Sequence, residues 1–118
     1  MTPDTGLEKE ITIRVRLDAS RVPESISWDA TDRDEEAPSS CDALVLGLWN
    51  RDTKSAFRID LWTNRLPVDE MGAFLARILV SLGDTCERAT GRPDLSDALR
   101  EFGREFARRA AGGPSREA

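Results

Sequence analysis

Two stretches near the middle of the chain alternate apolar and polar residues, and they fit each other in one register. Residues 42–50 and 55–63 are joined by Arg51-Asp52-Thr53-Lys54. Setting Asn50 opposite Ser55 brings Leu48 to Phe57, Leu46 to Ile59 and Leu44 to Leu61. Every pair on that face is then apolar, as a hairpin lying over a core requires. The opposite face collects Val45, Gly47, Trp49, Arg58, Asp60 and Trp62. A one-residue slip would exchange the two faces, so the pattern specifies the pairing strongly. Just downstream, Pro67 ends the alternation and helical spacing begins, so a strand feeds a helix.

The same reasoning extends in both directions. Ile11, Ile13, Val15 and Leu17 alternate with Thr12, Arg14 and Arg16, which predicts a strand over residues 10–18 with one buried and one wet face. Pro23 disfavours regular structure at Val22, and residues 25–29 fit a short edge strand with Ile26 and Trp28 on one side. Trp28 is expected to anchor its own loop. Residues 30–40, with Asp32, Asp34, Glu35 and Glu36 ahead of Pro38-Ser39-Ser40, fit an exposed acidic loop.

A long helix is expected over 67–90, with Asp69 and Glu70 at its positive end and Gly91-Arg92-Pro93 ending it. Its main apolar face is Val68, Met71, Leu75, Ile78, Leu79, Leu82, Cys86 and Ala89. A second stripe, Ala73, Ala76, Val80 and Gly83, lies nearly opposite and calls for a second neighbour, either the next helix or another copy of the chain. A second helix is expected over 94–111 with Asp94 as its N-cap. Leu95, Ala98, Leu99, Phe102, Phe106 and Ala110 form its apolar face, and Arg100, Arg104 and Arg108 line a solvated one. The expected organisation is a flexible leader over 1–8, one α+β domain over 9–111 and a flexible tail over 112–118.

Composition limits the chemistry. The 118 residues carry 22 acids and 17 bases, a net charge of -5. That balance argues against non-specific binding to nucleic acid or to an anionic membrane, which needs a positive field. No run of apolar residues approaches the roughly 18 needed to span a bilayer. The first residues have neither the basic nor the apolar region of a signal peptide. A cytoplasmic protein with reduced thiols at Cys41 and Cys86 is expected. The chain has no histidine, which excludes Ser-His-Asp and Cys-His catalysis and removes the commonest metal ligand. No CxxC pair, phosphate-binding glycine loop or calcium-loop spacing occurs. No cofactor and no metal are expected.

The residues left with a candidate role are Trp49, Arg58, Asp60 and Trp62, on the hairpin face turned from the core. Exposed aromatics beside arginine are typical of interaction hot spots. In the competing outcome, the second helix or the 19–40 loop folds over that face and makes the indoles ordinary core. Arg58 and Asp60 fit solvent-side strand residues, paired across the sheet with Arg14 or Arg16, better than a catalytic pair, because no nucleophile or proton shuttle accompanies them.

Several blocks resemble the gliding-motility protein GldC family of small bacterial proteins. They are Leu17-Asp18, Val22-Pro23-Glu24, Ile26-Ser27-Trp28, Leu48-Trp49, Arg58-Ile59-Asp60-Leu61-Trp62-Thr63, Pro67-Val68-Asp69-Glu70-Met71, Phe74, Asp84-Thr85 and Arg88-Ala89-Thr90. The resemblance implies a small soluble protein that accompanies membrane-anchored gliding components, notably the lipoprotein GldB, in a supporting role and without enzymatic activity. It supplies no catalytic residues to carry over.

Together these readings predict an α+β fold in two layers, an antiparallel sheet of three or four strands packed on the long helix with the C-terminal helix completing the core. The expected function is a non-enzymatic accessory module that binds a protein partner of the gliding type through Trp49, Arg58, Asp60 and Trp62. It inserts into no membrane and binds no nucleic acid, and self-association remains open. The alternative is a small-ligand binder or sensor with a pocket between sheet and helices.

Overall fold

The alternating stretches become strands and the 3.6-residue stretches become helices. The structure, a computed structural model, describes residues 7–36 and 39–112. The expected leader and tail fall outside the described residues, apart from Leu7, Glu8 and Gly112. Strands β1 (Ile11–Leu17) and β2 (Pro23–Ala30) pair antiparallel, and β3 (Ser40–Cys41) joins the other side of β2. Strands β4 (Ala43–Asn50) and β5 (Ser55–Trp62) form a separate two-stranded antiparallel sheet. Helices α1 (Val68–Thr90) and α2 (Pro93–Ala111) follow. The fold is α+β, with antiparallel sheets of three and two strands. The chain divides into two compact units, Met1–Leu66 and Pro67–Ala118.

In the β unit, β2 is the central strand of its sheet, where the sequence suggested an edge. Pro23 is its first residue, a position where a missing N–H breaks no ladder. Ile26 stands opposite Val15 on one side and Cys41 on the other and is 1% exposed. Burial raises the Cys41 thiol above its ordinary pKa, which keeps it protonated and inert. The Trp28 indole is half-buried, with the Arg33 guanidinium 5.8 Å from its ring centre. Arg33 in turn donates to Asp29 at 3.0 Å, so the start of the acidic loop is tied to the strand that precedes it.

Asp18 organises the β1–β2 turn. One of its carboxylate oxygens accepts from the backbone N–H groups of Ser20 and Val22, at 2.8 and 3.0 Å. These bonds support Arg21, whose φ of 67° lies in the left-handed region. The other oxygen accepts from the Asn64 side chain at 3.1 Å, while Asn64 N–H donates to the Pro23 carbonyl at 2.8 Å. The β1–β2 turn is therefore laced to the chain leaving β5. A second tie lies within the β4–β5 hairpin, one pair beyond Ala43 and Trp62. Thr63, 1% exposed, donates its N–H to the Asp42 carbonyl at 2.9 Å and its hydroxyl to the Asp42 carboxylate at 3.0 Å. A fully buried hydroxyl requires such a partner.

The helical unit is a hairpin of helices that meet through small residues. Gly91 ends α1 in the left-handed region at φ 65° and donates to the Glu87 carbonyl at 2.9 Å, the usual glycine stop. Ala76, Gly83, Ser96 and Gly103 are buried. A Cβ built on Gly103 would lie 2.7 Å from Val80 Cγ2 and 2.9 Å from the Val80 backbone nitrogen. One built on Gly83 would lie 2.5 Å from Arg100 Cγ. The second stripe of α1 thus receives α2, the first of the two neighbours that the sequence left open. The stripe runs through Gly72, Ala76 and Gly83, whereas Ala73 is exposed.

Two expectations for α2 are corrected. Asp94 is not the N-cap: Arg92 holds that position without a side-chain cap bond, and Asp94 forms an ion pair with it at 2.6 Å. Arg100 does not belong to the solvated face. Its side chain is only 22% exposed and reaches across to Asp84 and Glu87 on α1, at 2.8 Å each. Those bonds, Glu87 first, hold its guanidinium still more firmly protonated. Arg108 and Arg109 do lie at the surface, where both grip Glu105 and lower its carboxyl pKa.

Candidate partner-binding face

The β4–β5 register is the one the side-chain pattern dictates: Asn50 pairs with Ser55, Leu48 with Phe57, Leu46 with Ile59 and Leu44 with Leu61. The connecting turn is held by the Asn50 side chain, whose oxygen accepts from the N–H groups of Asp52 and Thr53 at 3.0 Å each. Lys54 closes the turn at φ 57°.

This register brings Trp49, Arg58, Asp60 and Trp62 onto one face, and each large residue there has a small cross-strand neighbour. Trp49 stands opposite Ala56, Arg58 opposite Gly47 and Trp62 opposite Ala43. The small partners leave the large side chains standing clear of the sheet. Trp49 is 65% exposed and Trp62 51%. Between the two indoles, Arg58 Nε donates to Asp60 Oδ2 at 2.6 Å. The pair is exposed, so it contributes at most about 1 kcal/mol to stability. Asp60 takes Arg58 of its own strand as its partner and not Arg14 or Arg16 across a sheet; those two arginines stand on β1 opposite Ser27 and Ser25.

The other face of the hairpin departs from expectation. Leu44, Leu46 and Leu61 are half-buried, but Ile59 is 38% exposed, Leu48 50% and Phe57 62%. The sequence assigned this whole row to the core. The most exposed members lie toward the turn, at the end of a two-stranded sheet that carries no third strand among the described residues. Two strands alone cannot shield both of their faces.

The residues that tie this hairpin to the first sheet were not recognisable as such in the sequence. Asp18 and Asn64 are ordinary polar residues there, and the Asx turn that begins at Asp18 was the one available signal. The bonds from Asp18 hold its carboxyl below its ordinary value, with the Val22 N–H the largest cause.

Two open hollows border the first sheet. One, of about 400 Å³, is lined by residues that include Glu10, Asp29, Arg33 and Glu35. The other, of about 490 Å³, is lined by Arg14, Val15, Arg16, Ser25 and Ser27. Neither is lined by Arg58 or a tryptophan. No group of three or more potential metal ligands occurs among the described residues, and no helix among them is long and apolar enough to cross a membrane.

The fold and the face define a small α+β protein that presents two indoles and an ion pair on an exposed hairpin. The sequence model for gliding motility-associated GldC-like proteins matches residues 23–112. The chain belongs to the GldC-like family. No curated protein and no solved structure matches it.

Proposed function

We propose that this chain is a non-enzymatic, cytoplasmic accessory module of a gliding-type complex, and that it docks a protein partner through Trp49, Arg58, Asp60 and Trp62. One observation supports this reading above the others: two tryptophans, each at least half exposed and each opposite an alanine, flank an ion pair on one face of the hairpin. Desolvated aromatic anchors with a charged group between them are the usual composition of an interface hot spot. The family assignment supports a partner within a motility assembly, and a membrane-anchored lipoprotein is the partner class we favour. Such an anchor would supply the membrane span that no helix among the described residues is long and apolar enough to provide.

The test is Trp62→Ala. Capture of the partner from the native organism should fall sharply, while thermal unfolding of the variant stays cooperative. A variant that unfolds, or one that captures the partner undiminished, would remove Trp62 from the docking face.

A further inference from the structure

The hairpin raises a question that its tryptophan face leaves unanswered. Strands β4 and β5 are each eight residues long, and neither outer edge carries a third strand among the described residues; on the β5 side the Asn64 N–H bond to the Pro23 carbonyl closes the edge only beyond the last residue of the strand. An isolated two-stranded sheet is marginal in water, and an open edge is a template for another strand. The sequence of β5 indicates which strand fits.

In antiparallel pairing, directly opposed residues point to the same side of the sheet. A strand pairing with its own copy about a two-fold axis must then centre on a residue. Centred on Arg58, the pairing sets Arg58 against Arg58 of the second copy. Centred on Asp60, it sets two aspartates face to face. Like charges directly opposed are destabilising. Centred on Ile59, Arg58 of each copy faces Asp60 of the other, twice by symmetry. The same register sets Phe57 against Leu61 on the opposite face, and Trp62 against the small Ala56. Among the alignments centred on residues 58, 59 and 60, opposite charges, apolar pairs and a large-to-small fit all select the one centred on Ile59.

We infer that β5 pairs edge to edge with β5 of a second copy of this chain, antiparallel and centred on Ile59. The product is a continuous four-stranded sheet, β4-β5-β5-β4, of two-fold symmetry. This inference rests on the reading of the hairpin as the docking element and extends it: edge pairing leaves the faces open, so two Trp49–Trp62 surfaces merge into one broad platform for the partner. The interface is isologous, as two-fold dimers require. The intrastrand Arg58–Asp60 ion pair becomes a four-charge cluster that sets register, a task to which charges contribute more than to affinity.

The experiment is sedimentation equilibrium on the full chain and on two charge variants. The natural chain should show a reversible monomer–dimer equilibrium. Arg58→Asp makes both facing positions acidic, and Asp60→Arg makes both basic. Each variant alone should associate roughly tenfold more weakly or worse. An equimolar mixture of the two should recover the dimer, because acid strand then faces basic strand. Ile59→Cys, in a background with Cys41→Ser and Cys86→Ser, should form a disulfide-linked dimer in air that reductant reverses.

A natural chain that stays monomeric at all concentrations overturns the inference. So does a pair of variants that dimerise as well alone as when mixed. If the dimer fails while Trp62→Ala still loses its partner, the second-copy inference falls and the docking face stands. If both fail, the hairpin is not an interaction element.

Discussion

The two hairpins of this molecule are built on opposite terms. In the helical one the contact residues are small and buried: Ala76, Gly83, Ser96 and Gly103. In the β-hairpin the bulky residues Trp49, Phe57 and Trp62 are more than half exposed. Close approach of two helices needs an absence of side-chain volume, and the helical unit meets that need along one stripe. The β-hairpin secures its register by cross-strand pairing instead, and its bulkiest groups stand outward. Apolar size is therefore a poor guide to what is interior here. In these two hairpins small residues mark the helix–helix contact, and large exposed ones, Phe102 of α2 among them, mark surface that a partner can cover.

That contrast can be broken at several points. Gly103→Ala should have the largest effect, because its Cβ would meet the Val80 backbone nitrogen at 2.9 Å. We expect a loss of about 3 kcal/mol, the upper end for overpacking, seen as a melting temperature lower by roughly 10 °C. An unchanged melting temperature would mean the helices do not approach as described.

Thr63→Val keeps the shape and removes the buried hydroxyl that Asp42 accepts. Chemical denaturation should register about 1–2 kcal/mol. A neutral result would show that the second tie contributes nothing.

Asp18 gives a pH test. Its carboxyl is held below the ordinary value of 3.8, so the folded chain binds fewer protons than the unfolded chain at low pH. The stabilisation is fully present above about pH 4 and is lost as pH falls through the folded value. Asp18→Asn should be less stable at neutral pH and show a shallower loss of stability in acid. Identical acid profiles for the two proteins would contradict the turn assignment.

Gly72→Ala should be the mildest change. Its Cβ would sit 3.3 Å from the Ala110 Cβ, and the helix gains up to about 1 kcal/mol of propensity in compensation. A melting temperature within a few degrees of the natural chain is expected. A collapse like that of Gly103→Ala would place the tightest approach of the helices at the wrong end.

Much of this was legible beforehand, for identifiable reasons. The β4–β5 register was readable because two period-two runs and a four-residue connection admit a single apolar pairing. The helix boundaries were readable because Pro67 and Gly91-Arg92-Pro93 are strong stops. The central position of β2 was hidden by its own composition: Glu24, Ser25 and Ser27 give it few apolar residues, and Pro23 looks like a break until it proves to be the first residue of the strand. Thr63 opposite Asp42 follows from the β4–β5 register, but the burial of Thr63 and its hydroxyl bond to the Asp42 carboxylate do not show in a period-two pattern. Arg100 looked like a surface arginine because nothing in α2 alone reveals the two carboxylates waiting on α1. Trp49, Arg58, Asp60 and Trp62 were found together because the register alone assigns them to one face. The exposure of Leu48 and Phe57 was missed because period two tells which residues share a face and not what covers it.

The central claim is that the Trp62 ring faces solvent in the folded chain and is available for docking. It is tested most directly by the fluorescence of a chain that retains Trp62 alone, with Trp28→Phe and Trp49→Phe. The account predicts long-wavelength, water-like emission at high dilution that acrylamide quenches readily, in a protein that still unfolds cooperatively. Short-wavelength emission that acrylamide cannot reach, from the same folded and dilute chain, would contradict it.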